Sequence, residues 1–136
     1  MSPASPGPAP AVEIAAAVIG NHGRYLIARR PDHVVLGGYW EFPGGKRRVD
    51  ESFEDCVRRE VREEVGVEVA VGDLIERVVH RYPHGTVDIT FLNATLVRGE
   101  PVARGCAEIR WVTPEELPAY RFPPANDTVI RRLTGR

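Results

Sequence analysis

The sequence predicts a fold of packed helices and strands, either α+β or an α/β/α sandwich. Short runs rich in Val, Ile, Thr and aromatic residues recur along the chain, separated by Gly, Pro, Asn and His. One strong helical period covers residues 52–65, and a second, near the C-terminus, covers residues 126–133. Strands flanking one central helix and one late helix suit a layered sandwich, because each element has a single apolar side to bury.

Residues 1–10 (MSPASPGPAP) are nearly all Pro, Ala, Ser and Gly and have too little apolar surface to fold. They read as a disordered arm ahead of one domain over residues 11–136. Residues 12–19 form an apolar run suited to a buried strand. Asn21-His22-Gly23 supplies turn residues, and Arg24 leads into a strand over residues 25–28. A loop with Pro31, Gly37 and Gly38 follows, then a short extended piece over residues 39–42, which Pro43-Gly44-Gly45 is expected to stop.

Ser52 opens the central helix with Asp55 three residues on, a loose capping box, and Gly66 stands at its natural end. Residues 67–82 are strand-like with a break expected at Gly72-Asp73. His84-Gly85 turns the chain into a second strand over residues 86–97. A short strand at residues 108–112, one helical turn at 114–117 and the closing helix complete the reading. No internal repeat is visible.

The bulk properties narrow the function. At 136 residues the chain is large enough for one core without disulfides. Its formal net charge of -1 argues against a nucleic-acid polymer as partner, which would need a basic face. A near-neutral protein that binds phosphates usually needs a metal between the two. Of the 18 basic residues, Lys46 is the only lysine. Cys56 and Cys106 lack metal-ligand spacing and read as small core residues in a reducing compartment. No run approaches the roughly 20 apolar residues of a membrane span, and Glu13 interrupts the first apolar stretch, so no signal peptide is expected. Cytoplasm is the expected location, as a monomer or homodimer.

The central helix is unusual. At about 100° per residue, Cys56, Val57 and Val61 share one face, and Glu60 and Glu64 fall in the middle of it. Glu63 sits at its edge, and Arg58, Arg59 and Arg62 occupy the opposite half. Unpaired buried carboxylates cost several kcal/mol, and a divalent cation relieves both that cost and their mutual repulsion. The wheel also admits a solvated Glu/Arg helix held by i,i+4 pairs.

From Gly45 the chain runs GKRRVDESFEDCVRREVREEVGV. Gly, five residues, Glu, seven residues, then Arg-Glu-apolar-any-Glu-Glu-any-Gly-apolar is filled by Gly45, Glu51, Arg59, Glu60, Val61, Glu63, Glu64, Gly66 and Val67. This 23-residue stretch resembles the signature of the Nudix hydrolases, and EFPGGK before it and FPPAN near the end resemble the MutT-like branch. The likeness extends from about Val12 onward. Within the box two positions depart from common members: Asp50 stands where many have Gly, and Arg48 where many have an acid. Neither is a fixed metal ligand. Outside it, His84-Gly85 stands where some relatives have an arginine at a hairpin tip, which weakens a direct transfer of their nucleotide preference.

The resemblance implies an α/β/α sandwich around a mixed sheet. It also implies magnesium, with manganese as a substitute, held by Glu60, Glu63, Glu64 and the carbonyl of Gly44. Glu108 stands where relatives place a further acid, and its plain alternative is an exposed strand-end Glu. Arg59 would pair with Glu51 to orient the acids, and Glu60 is favoured as the general base over Glu63 and Glu108. Arg30 resembles an arginine that grips substrate phosphate, with a solvated loop Arg as the alternative. Glu41, Phe42, Pro43 and Gly44 would line the substrate site. Asn126 in FPPAN either reads the edge of a purine or caps the last helix.

The implied activity is pyrophosphohydrolysis of a small-molecule nucleoside triphosphate to monophosphate and pyrophosphate, with 8-oxo-dGTP first in a role of nucleotide-pool sanitation and DNA repair. CTP or a modified pyrimidine triphosphate comes next, then other diphosphate-linked substrates such as ADP-ribose. A lesion-binding module without catalysis is the remaining class. All box acids are present here, which argues against it.

Overall fold

The computed structural model describes residues 10–135, so the arm expected over residues 1–10 lies, Pro10 apart, outside the described residues. The chain runs β1 (Val12–Asn21), β2 (Arg24–Arg29), β3 (Trp40–Glu41), β4 (Gly44–Lys46), α1 (Phe53–Val65), β5 (Glu68–Tyr82), β6 (Gly85–Arg98) and β7 (Glu108–Val112). Two 3-10 turns follow, Pro114–Ala119 and Pro124–Asn126, and then α2 (Asp127–Thr134). The strands form one sheet in the order β3-β2-β1-β6-β5, with β4 paired to β1 and β7 to β2. β1 and β6 run parallel and the other pairs antiparallel, so the sheet is mixed as expected.

Side chains alternate across a strand, and β1 shows what that does to the core. Ala15, Ala17 and Ile19 point to the layer where Cys56, Val57, Val61 and Val65 of α1 pack. Ala16 and Val18 point to the opposite layer, with Phe42, Phe91, Leu117 and Val129 of α2. The result is the three-layer α/β/α sandwich. No described helix is long and apolar enough to cross a membrane.

Local signals explain the joints. His22 and Gly23 have φ of 50° and 74°, the paired positive values that a two-residue hairpin turn requires. Ser52 Oγ accepts from the N–H of Asp55 at 3.0 Å and starts α1. The Asp55 carboxylate pairs with Arg58 at 2.8 Å, so it does not complete the box. Gly66, with φ 72°, ends the helix and donates its N–H to Arg62 O at 3.0 Å.

Two expectations change. Pro43-Gly44-Gly45 does not end the extended chain, because Gly44–Lys46 continues as β4, placing Gly44 opposite Ala16 and Gly45 opposite Ala15. Glycine reads as a strand breaker because it has no side chain to pack. Here that lack is what the strand needs, since a Cβ on Gly44 would overlap the backbone of Ala15 and Ala16. The break expected at Gly72-Asp73 is instead a pair of register shifts, between Val71 and Leu74 and between Leu74 and Glu76, inside a continuous β5.

Candidate active site

α1 packs on the sheet over β4 and β1, and this brings its Glu60 and Glu64 near Glu41 of β3. Glu64 lies deepest. Its Oε1 is buried without a hydrogen-bond partner, and its Oε2 receives only a long contact from Gly44 N–H at 3.5 Å. Burial, and after it the nearby Glu41 carboxylate, push the Glu64 carboxyl up to about 9, against the opposing Gly44 N–H. Glu41, from β3, is likewise raised by burial although Arg30 Nη1 meets its Oε2 at 3.0 Å. Glu60 adds to the charging penalty of both.

Glu60 occupies the space that a side chain on Gly45 would fill. The two adjacent glycines therefore do different things. A methyl at Gly44 meets rigid backbone, whereas a methyl at Gly45 meets the movable end of Glu60. We expect Gly44→Ala to lower Tm clearly, and Gly45→Ala to keep Tm near wild type while losing most activity. Thermal melts alongside turnover check this, and equal Tm losses in the two variants would refute it.

Arg59 joins the box together. Its Nε and Nη2 donate to Glu51 Oε2 and Oε1 at 2.7 and 2.8 Å, a two-pronged pair. It also reaches Glu60 Oε1 at 2.6 Å, the carbonyl of Lys46 at 3.0 Å and Glu63 Oε2 at 3.4 Å. Hydrogen bonding from Arg59 holds the Glu51 carboxyl at about 2. The helical wheel set Arg59 on the outer half, but its side chain is only 16% exposed. The loop leading into α1 lies across that flank, which no wheel can show.

The remaining expected ligands are placed less centrally. Glu63 is 56% exposed, and Arg59 is its partner. Glu108 sits between Arg110 at 2.9 Å and Arg29 at 3.2 Å, and these bonds, Arg110 foremost, hold its carboxyl low. Among the described residues no three acidic, His or Cys side chains form a ready cation cage. Glu60, Glu63 and Glu108 each face an arginine, and a cation would compete for them. Both cysteines are free and packed on the box backbone, Cys56 Sγ toward Gly45 O and Cys106 Sγ toward Glu64 O. Burial pushes each thiol up to about 11.

A cavity of about 500 Å³ opens beside these acids. Arg30, Glu41, Gly44, Gly45 and Lys46 line its polar end, and Phe42, Tyr82, Ile89, Phe91 and Asn126 its other end. Arg30 Nε also donates to Val35 O at 2.8 Å, so Arg30 is held and is not a free loop cation. Phe42 serves both cavity and core, being 2% exposed and edge-on to Phe91 at 6.2 Å. Pro43 does not line the cavity. Its carbonyl accepts the N–H of Ala17 at 2.7 Å, which anchors the chain beneath Gly44.

Asn126 stands at the N-cap of α2, yet its side chain makes no cap bond. It is 5% exposed, and Nδ2 donates to Pro123 O at 3.1 Å. The cap reading therefore fails. Three lining residues with polar side chains were not singled out from sequence as part of the site: Lys46, Tyr82 and His84. The single lysine of the chain, inside the box, was the available signal for Lys46. The other two depend on how the β5–β6 hairpin folds over the cavity.

Known proteins resemble this chain in sequence and fold. Residues 15–132 match the NUDIX domain family. The 8-oxo-dGTP diphosphatase of Haemophilus influenzae is 34% identical over 123 residues, covering 90% of each chain. The CTP pyrophosphohydrolase of Escherichia coli is also 34% identical over 123 residues, covering 85% of each. The crystal structure of a MutT protein from Methanosarcina mazei superposes with a TM-score of 0.83 at 27% identity, covering 91% of this chain and 93% of that one. With every fixed position of the box filled from β4 to just beyond the end of α1, and the match running through nearly the whole fold, the chain belongs to the Nudix family, as a hydrolase of its MutT-like branch.

Proposed function

We propose that this chain hydrolyses 8-oxo-dGTP to the monophosphate and pyrophosphate, keeping oxidised guanine out of the nucleotide pool. The observation that carries the substrate reading is the buried Asn126 amide at the aromatic end of a cavity whose other end is charged. An amide presents a donor and an acceptor side by side, which matches a purine edge, and aromatic walls suit its faces. The H. influenzae relative bears the name of that activity.

A divalent cation, magnesium with manganese as substitute, fits the polar end. The unpartnered, buried Glu64 Oε1 is an oxygen that a hard cation would satisfy. Glu60, Glu63 and Glu64, with Glu108 and the Gly44 carbonyl, are the residues that would hold it. When bound, such a cation neutralises charge gathering on the phosphoryl oxygens and makes water a better nucleophile. The chain supplies the rest. Glu60, lying against Gly45, accepts the proton of the attacking water. Arg30 turns its guanidinium to the phosphate chain, and Arg59 with Glu51 keeps the acids in place. Glu41 and Phe42 form the wall between the two ends.

The test is a panel of 8-oxo-dGTP, dGTP and CTP with magnesium, scored by kcat/KM. The E. coli relative's name favours a second reading, CTP as substrate, and CTP scoring highest would establish it over the first. Asn126→Ala extends the panel. Losing a buried hydrogen bond costs about 1–3 kcal/mol, or roughly 5- to 150-fold in kcat/KM. That loss should fall on the purine far more than on CTP. An equal fall on all three substrates would make Asn126 a packing residue only.

A further inference from the structure

The base end of the cavity is built from two segments far apart in sequence, and one hydroxyl joins them. Tyr82 ends β5, and its Oη accepts the N–H of Ala125 at 3.0 Å, across 43 residues. Ala125 immediately precedes Asn126 within the turn Pro124–Asn126. The Tyr82 ring also carries His84, whose imidazole lies nearly parallel to it, at 9° with centroids 5.1 Å apart. Both rings line the cavity, Tyr82 half-buried and His84 exposed at its rim.

We propose that Tyr82 is a positioning residue for base recognition, setting the height of Asn126 through Ala125 and presenting His84 as a second, specificity-determining contact at the cavity rim. The inference rests on the reading of this cavity as the nucleotide site, and it adds residues that reading did not use. A buried amide discriminates between base edges only while its position is fixed to within a fraction of an ångström. The Asn126 side chain makes one hydrogen bond, from Nδ2 to Pro123 O at the start of the same turn. That bond moves with the turn and does not register it to the opposite wall. The Tyr82–Ala125 bond does. His84 offers a ring nitrogen donor and acceptor at the rim, where a nucleobase or its sugar must pass.

Tyr82→Phe removes the hydroxyl and keeps the ring, and His84→Ala removes the stacked partner. Each is compared with wild type on 8-oxo-dGTP, dGTP and CTP, with KM and kcat resolved. The expected result for Tyr82→Phe is a loss of preference of about tenfold, carried mainly by KM of the preferred base. Combined with Asn126→Ala it should add little further loss, because both act through the same contact. His84→Ala should narrow the preference by a smaller factor. A Tyr82→Phe enzyme with undiminished preference, or with a uniform fall in kcat on all three, overturns the positioning role. An undiminished preference in His84→Ala overturns the rim contact. If the wild-type enzyme shows no base preference at all, the nucleotide reading of the cavity fails, and this inference fails with it.

Discussion

Glu64→Gln should reduce kcat by about two to three orders of magnitude, the scale expected when several kcal/mol of charge stabilisation is lost. The same change should leave the fold intact or firmer. The Glu64 carboxylate is buried with one oxygen unpartnered, and its carboxyl is pushed up to about 9. A carboxyl raised in the folded state favours folding fully below its ordinary value near 4.5, and that advantage is lost as pH rises through about 9. The amide has no such loss. In metal-free buffer the variant should therefore melt at or above the wild-type Tm, most visibly at alkaline pH. Manganese titration by paramagnetic resonance should show weaker binding in the variant. Near wild-type turnover at saturating magnesium would overturn the proposal that Glu64 holds a cation.

Arg59→Ala should be the second large effect, and for a different reason. Arg59 does not line the cavity. It bonds Glu51, Glu60, Glu63 and the Lys46 carbonyl at once, so its loss frees the loop over α1 and leaves Glu60 without its orienting partner. We expect kcat to fall by roughly a hundredfold and Tm to fall with it, as when one partner of a covered ion pair is removed. Glu51→Ala should produce much of the same loss, and the double variant little more than the worse single one. Full additivity would show that the pair does not act as a unit. The pH dependence has a definite sign. Glu51 is held at about 2, so its contribution is complete above its ordinary value near 4.5 and fades as pH falls toward about 2. The Tm gap between wild type and Arg59→Ala should therefore narrow across that acid range.

Most of the box was legible in the sequence because its constraints are local. Ser52 and Gly66 bound α1 by backbone capping, which needs only near neighbours. The wheel placed Glu60 and Glu64 among Cys56, Val57 and Val61, and both carboxylates do face the sheet. The same reasoning located β1, β2, β7 and the His84-Gly85 turn, where alternation and turn chemistry are strong. It failed at Pro43-Gly44-Gly45, where the missing side chains permit strand pairing that no propensity encodes.

By itself the sequence determined the family, the layers and the order of the acids along one helix, since spacing along a helix is geometry in a single segment. Only the tertiary structure decided which of those acids is buried and which is paired. Glu64 is orphaned because α1 turns it down onto β4, while Glu63 and Glu108 keep arginine partners supplied by α1 itself and by β2 and β7. It also decided that Arg59 is covered, that Asn126 faces the cavity, and that Tyr82 reaches Ala125. Desolvation and hydrogen-bond partners depend on what lies on the far side of a residue, and here that neighbour arrives from a segment tens of residues away.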